Sequence, residues 1–453
     1  MNTTPSTASV PSAATYVVVG AGVHGLSTAW HLAMALKAQG KGSGADILLV
    51  DRGEQPGSGA TGVACGCVRN LYMTEPLHAL VRHSVDVWLH DPVLFGFQQV
   101  GYISAGEENQ LPDYERMVKS HRAVGYASDL YTGAEARNYL KNLWPDFRTD
   151  GIDVVLHEKP SGYAGTRQAL TGLFEMCRRV GVNYQPRTQV TGYERTNGQV
   201  TAVHTDRGTV RCDAVVLAAG PWMPRHWAML ERPERLNVHY NDGTVAEDAA
   251  MWNYWRLEEG EVYFDGPYAT RELRNPPVLH VELMNTPVRD PETQRILRDY
   301  LYVYFKHGTE RMERPGLQGG SVPVKLGERA DLEPYGHANP RYQADHPGFA
   351  DYFCAALSAL MGRFEGIRHQ FKQRPNGGIG AFTPDNVPVL DWILPNVYMI
   401  ADSNHGFKMT GIGKLVAQHL ATGNAVAELT PFALSRYAEG GAFARRNSHS
   451  PWV

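Results

Sequence analysis

The 453-residue chain has few of the residues that build disulfide frameworks or metal centres. It has five cysteines, Cys65, Cys67, Cys177, Cys212 and Cys354, with no C-x-x-C pair, and its 18 histidines show no H-x-x-x-H spacing. The pattern therefore predicts neither a disulfide scaffold nor a metal site, and it favours a reducing, cytoplasmic setting.

The chain also lacks an excess of one charge and a long apolar run. Its net charge of −4 offers no electrostatic footprint for nucleic acid or an anionic membrane. No stretch approaches the roughly 20 apolar residues that a membrane helix needs. Residues 1–15 lack the basic start and apolar centre of a signal peptide, so we expect a disordered tail.

What the chain does have is a glycine turn directly after a β-branched strand. Gly20, Gly22 and Gly25 show the G-x-G-x-x-G spacing, which provides a tight turn, close approach to a pyrophosphate and close helix–strand packing. A second strand, 47–50, ends on Asp51, whose carboxylate can accept hydrogen bonds from a ribose diol. Glycine spacing alone also fits an ordinary turn, but the strand–helix–strand order favours a dinucleotide site.

A small-residue loop over 57–73 follows and allows a backbone to run against a flat ligand. It carries Arg69 near its end. Cys65 and Cys67 in this loop are interpreted as small buried hydrophobic residues, with reactive thiols near a redox centre as the alternative.

The middle of the chain predicts a return to the first sheet and then a second sheet. Residues 190–208 alternate around Asn197-Gly198, which predicts a hairpin, and 214–220 reads as a buried parallel strand beside the first two. A helical stretch over 111–140 breaks at Gly125. Aromatic, alternating pieces over 237–371 predict a mixed, largely antiparallel sheet whose aromatics are mainly core, with a few lining a pocket.

Two later segments carry isolated lysines. The stretch 319–327, GGSVPVKLG, is a short apolar strand with Lys325. The stretch 404–408, NHGFK, ends in Lys408 and precedes a helix over 411–421, whose N-terminus predicts a second anion-binding position.

Four separated motifs together resemble the D-amino-acid oxidase superfamily of flavoproteins, in its sarcosine oxidase and dimethylglycine oxidase branch. They are the glycine turn, AVVLAAGPW at 214–222, FTPDNVPVLD at 382–391, and the NHGFK loop. The resemblance implies FAD and an α/β fold. A Rossmann-like FAD-binding domain (16–95, 150–236 and 372–453) would be interleaved with a substrate domain (96–149 and 237–371) built on a mixed, largely antiparallel sheet with helices.

The resemblance also implies site residues. Arg69 and Lys408 would hold the substrate carboxylate, and Lys325 would stand beside the flavin and help to activate oxygen. The implied cofactor-binding residues are Gly20, Gly22, His24, Gly25, Asp51, Arg52, Thr61, Val190, Ala219, Gly220, Trp222, Gly406, Phe407 and Lys408.

The chain departs from the family pattern at several positions. Gly378 stands where monomeric sarcosine oxidases attach FAD through a cysteine, and the early loop lacks the histidine of the dimethylglycine enzymes. We therefore expect non-covalent FAD. Gly380 replaces an aromatic residue, Arg329 falls near an active-site histidine position, and an insertion over 311–317 could reshape the pocket mouth, so the substrate does not follow from the resemblance.

The resemblance implies oxidation of a secondary or tertiary amine, an N-methyl amino acid, by hydride transfer to flavin N5. Dioxygen would be the acceptor, giving hydrogen peroxide and an imine that hydrolyses. Two alternatives are a flavin dehydrogenase with a protein or quinone acceptor and an FAD-binding subunit of a hetero-oligomer. The expected partners are a small amine or amino acid and dioxygen, without nucleic acid or membrane, and an oligomeric partner is not required.

Overall fold

The computed structural model describes residues 9–266, 268–272, 274–309, 312–335, 347–372, 378–444 and 451–452. Its regular elements alternate between two large sheets. The strands are β1 (Ala13–Val19), β2 (Ile47–Val50), β3 (Cys67–Val68), β4 (Phe97–Gln98), β5 (Tyr102–Gly106), β6 (Ser128–Thr132), β7 (Val154–Glu158), β8 (Gly162–Ala164), β9 (Asn183–Gln185), β10 (Val190–Thr196), β11 (Gln199–Thr205), β12 (Gly208–Leu217), β13 (Arg235–His239), β14 (Val245–Ala250), β15 (Asn253–Arg256), β16 (Glu259–Tyr263), β17 (Val278–Leu283), β18 (Val288–Arg289), β19 (Ile296–Arg298), β20 (Leu301–His307), β21 (Gly316–Gly320), β22 (Val324–Gly327), β23 (Ile379–Phe382), β24 (Val389–Leu394) and β25 (Val397–Ala401). The helices are α1 (Val23–Ala38), α2 (Ala60–Val63), α3 (Pro76–His90), α4 (Pro92–Phe95), α5 (Leu111–Ala123), α6 (Gly133–Leu143), α7 (Thr166–Arg179), α8 (Met223–Met229), α9 (Pro347–Leu360) and α10 (Ile412–Thr422).

The first sheet has eight strands, with the path β10-β11-β12-β1-β2-β9 and with β25 and β24 joined through β12. Strand β1 pairs in parallel with both β2 and β12, so the third strand expected beside the first two is confirmed. Val17 and Val19 pack on one face and Val18 on the other. Both faces are buried, as a continuous β-branched run in a parallel sheet requires.

Strand β1 begins at Ala13, three residues before the predicted start. The expected disordered tail over 1–15 therefore wrongly includes residues 13–15, which belong to β1. Residues 1–8 lie outside the described part of the chain. The predicted hairpin is confirmed: β10 and β11 pair antiparallel, and Asn197 and Gly198 both have positive φ, 52° and 79°.

The second sheet has seven strands in the order β16-β21-β20-β17-β5-β7-β6. Of its described pairs, β5 with β17 is parallel and the others are antiparallel, which confirms the mixed, largely antiparallel sheet. Its core lies between the sheet and α9.

Two boundaries differ from the prediction. Strand β7 belongs to the second sheet, which therefore continues past the expected boundary at residue 150 to at least Glu158. The helical stretch over 111–140 is two helices separated by β6. The break follows Gly125, which has φ +68°.

A third, three-stranded sheet, β22-β15-β23, carries the segment around Lys325. Within the described residues, no helix is both long and apolar enough to cross a membrane.

Candidate active site

One cavity is lined by residues of both large sheets. One part of it is lined by the turns that follow β1, β2 and β12, at the carboxyl ends of parallel strands, and the turn after β25 runs from there toward Arg69. At the other end it is lined by side chains of the second sheet, including Tyr102, Glu259, Tyr302 and Tyr304. Ligands of open α/β sheets bind at the carboxyl edge of such strands.

The glycine turn forms a tight cradle at the first end. Gly20 has φ +105°, and a Cβ there would stand 2.4 Å from the Ala218 carbonyl oxygen. Gly22 faces Thr61, whose Oγ1 accepts a hydrogen bond from Val23 N at 3.3 Å. Gly25 does not line the cavity: it lets α1 lie against the turn, because a Cβ there would stand 1.8 Å from the Gly20 oxygen.

Asp51 closes the cradle at the end of β2. Its two carboxylate oxygens accept hydrogen bonds from Ala21 N and Gly53 N, each at 2.6 Å. Burial raises the pKa of this carboxyl above its ordinary value. The carboxylate thus ties the glycine turn to the second strand while it still faces the cavity.

A stacked group forms the cavity wall beyond Asp51. The Arg52 guanidinium lies 4.6 Å from the Trp222 ring centre, and both side chains donate hydrogen bonds to Glu333. The Trp222 ring also packs against Tyr335 at 5.1 Å. The cavity is also lined by three more of the residues that the resemblance implies for cofactor binding, Val190, Ala219 and Gly220.

The NHGFK loop is fixed to α1 by a buried hydrogen bond between two side chains. His24 Nε2 lies 2.8 Å from Asp402 Oδ2, which also accepts a hydrogen bond from Gly406 N at 2.8 Å. Burial opposes the charge on Asp402, but His24 and the Gly406 N–H outweigh burial and lower the pKa of this carboxyl. The loop residues Gly406, Phe407 and Lys408 consequently face the cavity.

The helix N-terminus after this loop does not face the cavity. Gly411 N donates to Ser84 Oγ at 2.9 Å, so this amide is used within the protein. The anion-binding position expected there is therefore wrong: the helix packs against α3, and the cavity wall is formed by the preceding loop.

Arg69 lies at the far end of the cavity and is only 6% exposed. Its guanidinium donates to the Leu71 carbonyl oxygen and lies 5.0 Å from the Tyr72 ring centre and 6.0 Å from that of Tyr102. No carboxylate of the described residues forms an ion pair with it.

The segment that carries Arg69 is held by a buried glutamate. Glu158 Oε2 accepts hydrogen bonds from Asn70 N at 2.5 Å, Ser161 Oγ at 2.6 Å and Tyr126 OH at 3.1 Å. Burial raises the pKa of Glu158. Nothing in the sequence pattern singled out this residue, because its partners come together only in the folded chain.

Lys408 faces the same end of the cavity as Arg69. Burial, and after it the charge of Arg69, lower the pKa of Lys408 from its ordinary value to about 7. Its ammonium group lies 4.6 Å from the ring centre of Trp452, a cavity residue from the C-terminal end that the sequence did not suggest.

Two further groups in the cavity wall were not among the expected site residues. Glu259 is 2% exposed and accepts a hydrogen bond from Tyr304 OH at 2.7 Å. His405, which also lines the cavity, has a buried Nε2 without a hydrogen-bond partner. The sequence signal for Tyr302 and Tyr304 was present in the aromatic alternation, and His405 stands within the NHGFK motif, whereas Glu259 carried no readable signal.

Lys325 does not line this cavity, although the sequence analysis expects it beside the flavin. It lies on β22 opposite Trp255 of β15, and Trp255 in turn lies opposite Gly380 of β23. Lys325 is exposed, and the described cavity lining does not include it. Its strand pairs at the outer edge of the three-stranded sheet, so only β23 reaches the cavity.

The positions that depart from the family pattern have definite places. Gly378 and Gly380 line the cavity, as do Cys65 and Cys67. A Cβ at Gly380 would stand 2.3 Å from the Asn404 side chain. No group of three or more histidine, cysteine or acidic side chains in the described ranges could hold a metal ion.

Comparison with known proteins gives this arrangement a context. A family model described as DAO, FAD dependent oxidoreductase, matches residues 15–419. The 4-methylaminobutanoate oxidase (formaldehyde-forming) of Paenarthrobacter nicotinovorans is 27% identical over 47% of this chain and 25% of its own length. Sarcosine oxidase subunit beta of Rhodobacter capsulatus is 28% identical over 45% of this chain and 49% of its own length. These matches thus span at most about half of either relative.

Solved structures share the fold at low sequence identity. L-proline dehydrogenase from P.horikoshii has a TM-score of 0.74 at 19% identity, covering 96% of this chain and 100% of that chain. Glycine oxidase from Geobacillus kaustophilus has a TM-score of 0.64 at 17% identity, covering 93% and 98%. With the family model matching most of its length, the chain belongs to the DAO family of FAD-dependent oxidoreductases.

Proposed function

We propose that this chain oxidises a secondary or tertiary amine that carries a carboxylate, an N-methyl amino acid, with non-covalently bound FAD. The observation that carries the proposal is that Arg69 and Lys408 face one end of a cavity whose other end is the glycine cradle. Two cations beside one cavity, without an ion-pairing carboxylate of the described chain, suit an anionic group brought by the substrate.

The cradle residues fit the dinucleotide part of FAD. Gly20 and Gly22 would admit the pyrophosphate, and Asp51 and Arg52 would flank the adenosine ribose. Near Arg69 and Lys408, the unpartnered Nε2 of His405, a cavity residue, leaves a polar group for a ligand. When bound, FAD supplies the hydride acceptor, its N5 atom, for a C–H bond next to the substrate nitrogen.

The substrate end would position and shield the reacting group. Arg69 can form a bidentate pair with the substrate carboxylate, and Lys408 adds a second charge. An anion beside Lys408 favours the protonated ammonium group, so substrate binding would itself raise its pKa. Tyr102, Tyr302 and Tyr304 would exclude water from the same end.

The relatives support an N-methylated substrate by name. One is an oxidase of 4-methylaminobutanoate and another a sarcosine oxidase subunit. Glycine at 378 and 380 leaves no nucleophile at these two cavity positions, which supports a non-covalent cofactor.

We propose dioxygen as the electron acceptor, with hydrogen peroxide and an imine, which water hydrolyses, as products. The position of Lys325 favours a second candidate, a dehydrogenase with a protein or quinone acceptor, because the lysine expected to activate oxygen lies outside the cavity. Since a sarcosine oxidase subunit is among the relatives, a hetero-oligomeric assembly remains a third candidate.

The test mixes purified yellow holoprotein with sarcosine and longer N-methyl amino acids without oxygen, and follows the flavin absorbance. We expect the substrate to bleach the flavin absorbance. In Arg69→Ala the apparent affinity for the substrate should fall about 30-fold, since a charge-assisted hydrogen bond contributes about 2 kcal/mol. Unchanged affinity in this variant would contradict the carboxylate contact. Admission of air then separates the candidates: rapid reoxidation with stoichiometric peroxide supports the oxidase, and slow reoxidation supports the dehydrogenase.

A further inference from the structure

Two cysteines lie side by side in the cavity wall. The sulfur atoms of Cys65 and Cys67 are 3.8 Å apart, and both residues line the cavity. Cys65 is 4% exposed and Cys67 is half-buried. The two thiols are thus close to each other and accessible to a small solute in the cavity.

The backbone between them holds this pair in place. Gly66 has φ +75°, and a Cβ there would stand 2.2 Å from the Ala164 carbonyl oxygen. Ala164 N donates to the Gly66 oxygen at 2.9 Å, and Cys67 pairs with Tyr163 where β3 meets β8. The left-handed glycine turns the chain so that both sulfurs stay together in the same wall.

A buried cation acts on the pair. Lys306 is fully buried on β20, and its ammonium group donates to Gln318 Oε1 and the His307 oxygen, each at 3.0 Å. A hydrogen bond with Cys65 and the charge of Lys306 lower the pKa of the Cys67 thiol, with Lys408 acting in the same direction and burial and Glu259 opposing. The same hydrogen bond, together with burial, raises the pKa of Cys65.

The other three cysteines have no such environment. Burial raises the pKa of Cys177 and Cys354 to about 12 and that of Cys212 to about 11. Thiols of this kind are inert because the thiolate is the nucleophile. They provide internal controls within the same chain.

We propose that Cys65 and Cys67 form a peroxide-reactive dithiol that closes to an intramolecular disulfide. The Cys67 thiol releases its proton, and the thiolate attacks one oxygen of hydrogen peroxide. The O–O bond breaks, and the leaving hydroxide takes up that proton as water, which gives a sulfenic acid on Cys67. The Cys65 sulfur then attacks the Cys67 sulfur, and the hydroxyl group leaves as water with the proton of the Cys65 thiol. The two sulfurs together lose two electrons, and one peroxide becomes two waters.

The source of the oxidant rests on the proposed function, because an oxidase would release hydrogen peroxide into this cavity. The thiol chemistry itself does not depend on that reaction. The pair would consume peroxide where it forms, before peroxide reaches the rest of the chain.

The experiment adds hydrogen peroxide directly to reduced holoprotein, quenches with iodoacetamide, and maps the peptides by mass spectrometry. We expect a disulfide between Cys65 and Cys67, seen as a peptide that is lighter by two hydrogens and that dithiothreitol restores. Iodoacetamide should alkylate the other three cysteines. In Cys65→Ser, dimedone should trap a sulfenic acid on Cys67. Cys67→Ser should leave Cys65 unreactive, and retained FAD content checks that both variants fold.

Full alkylation of Cys65 and Cys67 after peroxide would overturn the proposal, as would a disulfide to any other cysteine. These results on the wild-type protein decide the matter even if a variant does not fold. A second arm replaces peroxide by sarcosine in air, with and without catalase. If added peroxide links Cys65 to Cys67 but sarcosine does not, the result supports the peroxide-reactive dithiol and contradicts the proposed oxidase reaction.

Discussion

The charge of Lys408 makes substrate binding sensitive to pH. With its pKa lowered to about 7, the ammonium group is charged below that pH and increasingly neutral above it. We therefore predict that an aliphatic carboxylate without an amine, propionate, binds progressively more weakly between about pH 7 and pH 9, where its own carboxylate stays ionised. Perturbation of the flavin absorbance by propionate measures the affinity across this range.

The matched variants separate Lys408 from the other lysine of the sequence analysis. Lys408→Met should weaken propionate binding at low pH and remove the dependence on pH. Lys325→Met should behave as wild type, because Lys325 is exposed on β22 and outside the cavity. A pH dependence that survives in Lys408→Met would assign the titration to another group.

At the scale of elements, Gly25 decides how closely α1 approaches the nucleotide turn. A Cβ at this helical position would stand 1.8 Å from the Gly20 oxygen, so Gly25→Ala must push the helix away from the turn. We predict a loss of stability of about 1–3 kcal/mol and a larger loss of bound FAD, because the turn itself shifts. Denaturant midpoints and the ratio of flavin to protein absorbance report the two effects.

Gly348→Ala is the control for this substitution. Gly348 also lies near a helix N-terminus, in α9, and a Cβ there would meet nothing within 4 Å. This variant should keep its FAD and its stability. Equal FAD loss in both variants would show that the close packing at Gly25 is not the cause.

A buried ion pair joins the FTPDNVPVLD segment to the C-terminal region. Arg436 Nε and Nη2 lie 2.9 Å from the Asp385 carboxylate oxygens, with side chains 5% and 0% exposed. Arg436→Met should cost about 3–5 kcal/mol in urea unfolding, because it leaves a buried carboxylate uncompensated. Arg178→Met, which removes a surface pair with Glu175, should not shift the midpoint measurably.

Elements with local signals were predictable, and those that depend on distant partners were not. The Asn197-Gly198 hairpin and the β1 strand follow from turn chemistry and β-branched runs. Strand β6 was missed because five residues between two helices carry little periodicity, and its pairing with β7 is non-local. The motif around Lys325 gives the residue but not which strand of a small sheet faces the cavity, which depends on the pairing of β22 with β15.

The site shows the same division. That residues in the turns after β1 and β2 line one cavity could be predicted from spacing, since one local motif brings them together. Glu259 and Glu158 could not, because each gains its surroundings from strands distant in sequence. The part of the cavity around Arg69 and Glu259 therefore depends on contacts between strands that are distant in sequence.

At the scale of the whole molecule, the cavity is walled by both large sheets, so the cofactor should stabilise both together. A ligand that binds only the folded state adds about 2.7 kcal/mol at 100 times its dissociation constant. We predict that FAD added to apoprotein raises Tm with concentration. In hydrogen exchange it should protect the turns after β1 and β25 and, in the second sheet, the strand β20 that carries Tyr302 and Tyr304. Protection limited to the eight-stranded sheet would contradict a shared site. Gly25→Ala disturbs the glycine turn and leaves the sequence of β20 unchanged. This variant should therefore reduce both the rise in Tm and the protection from exchange, including the protection of β20.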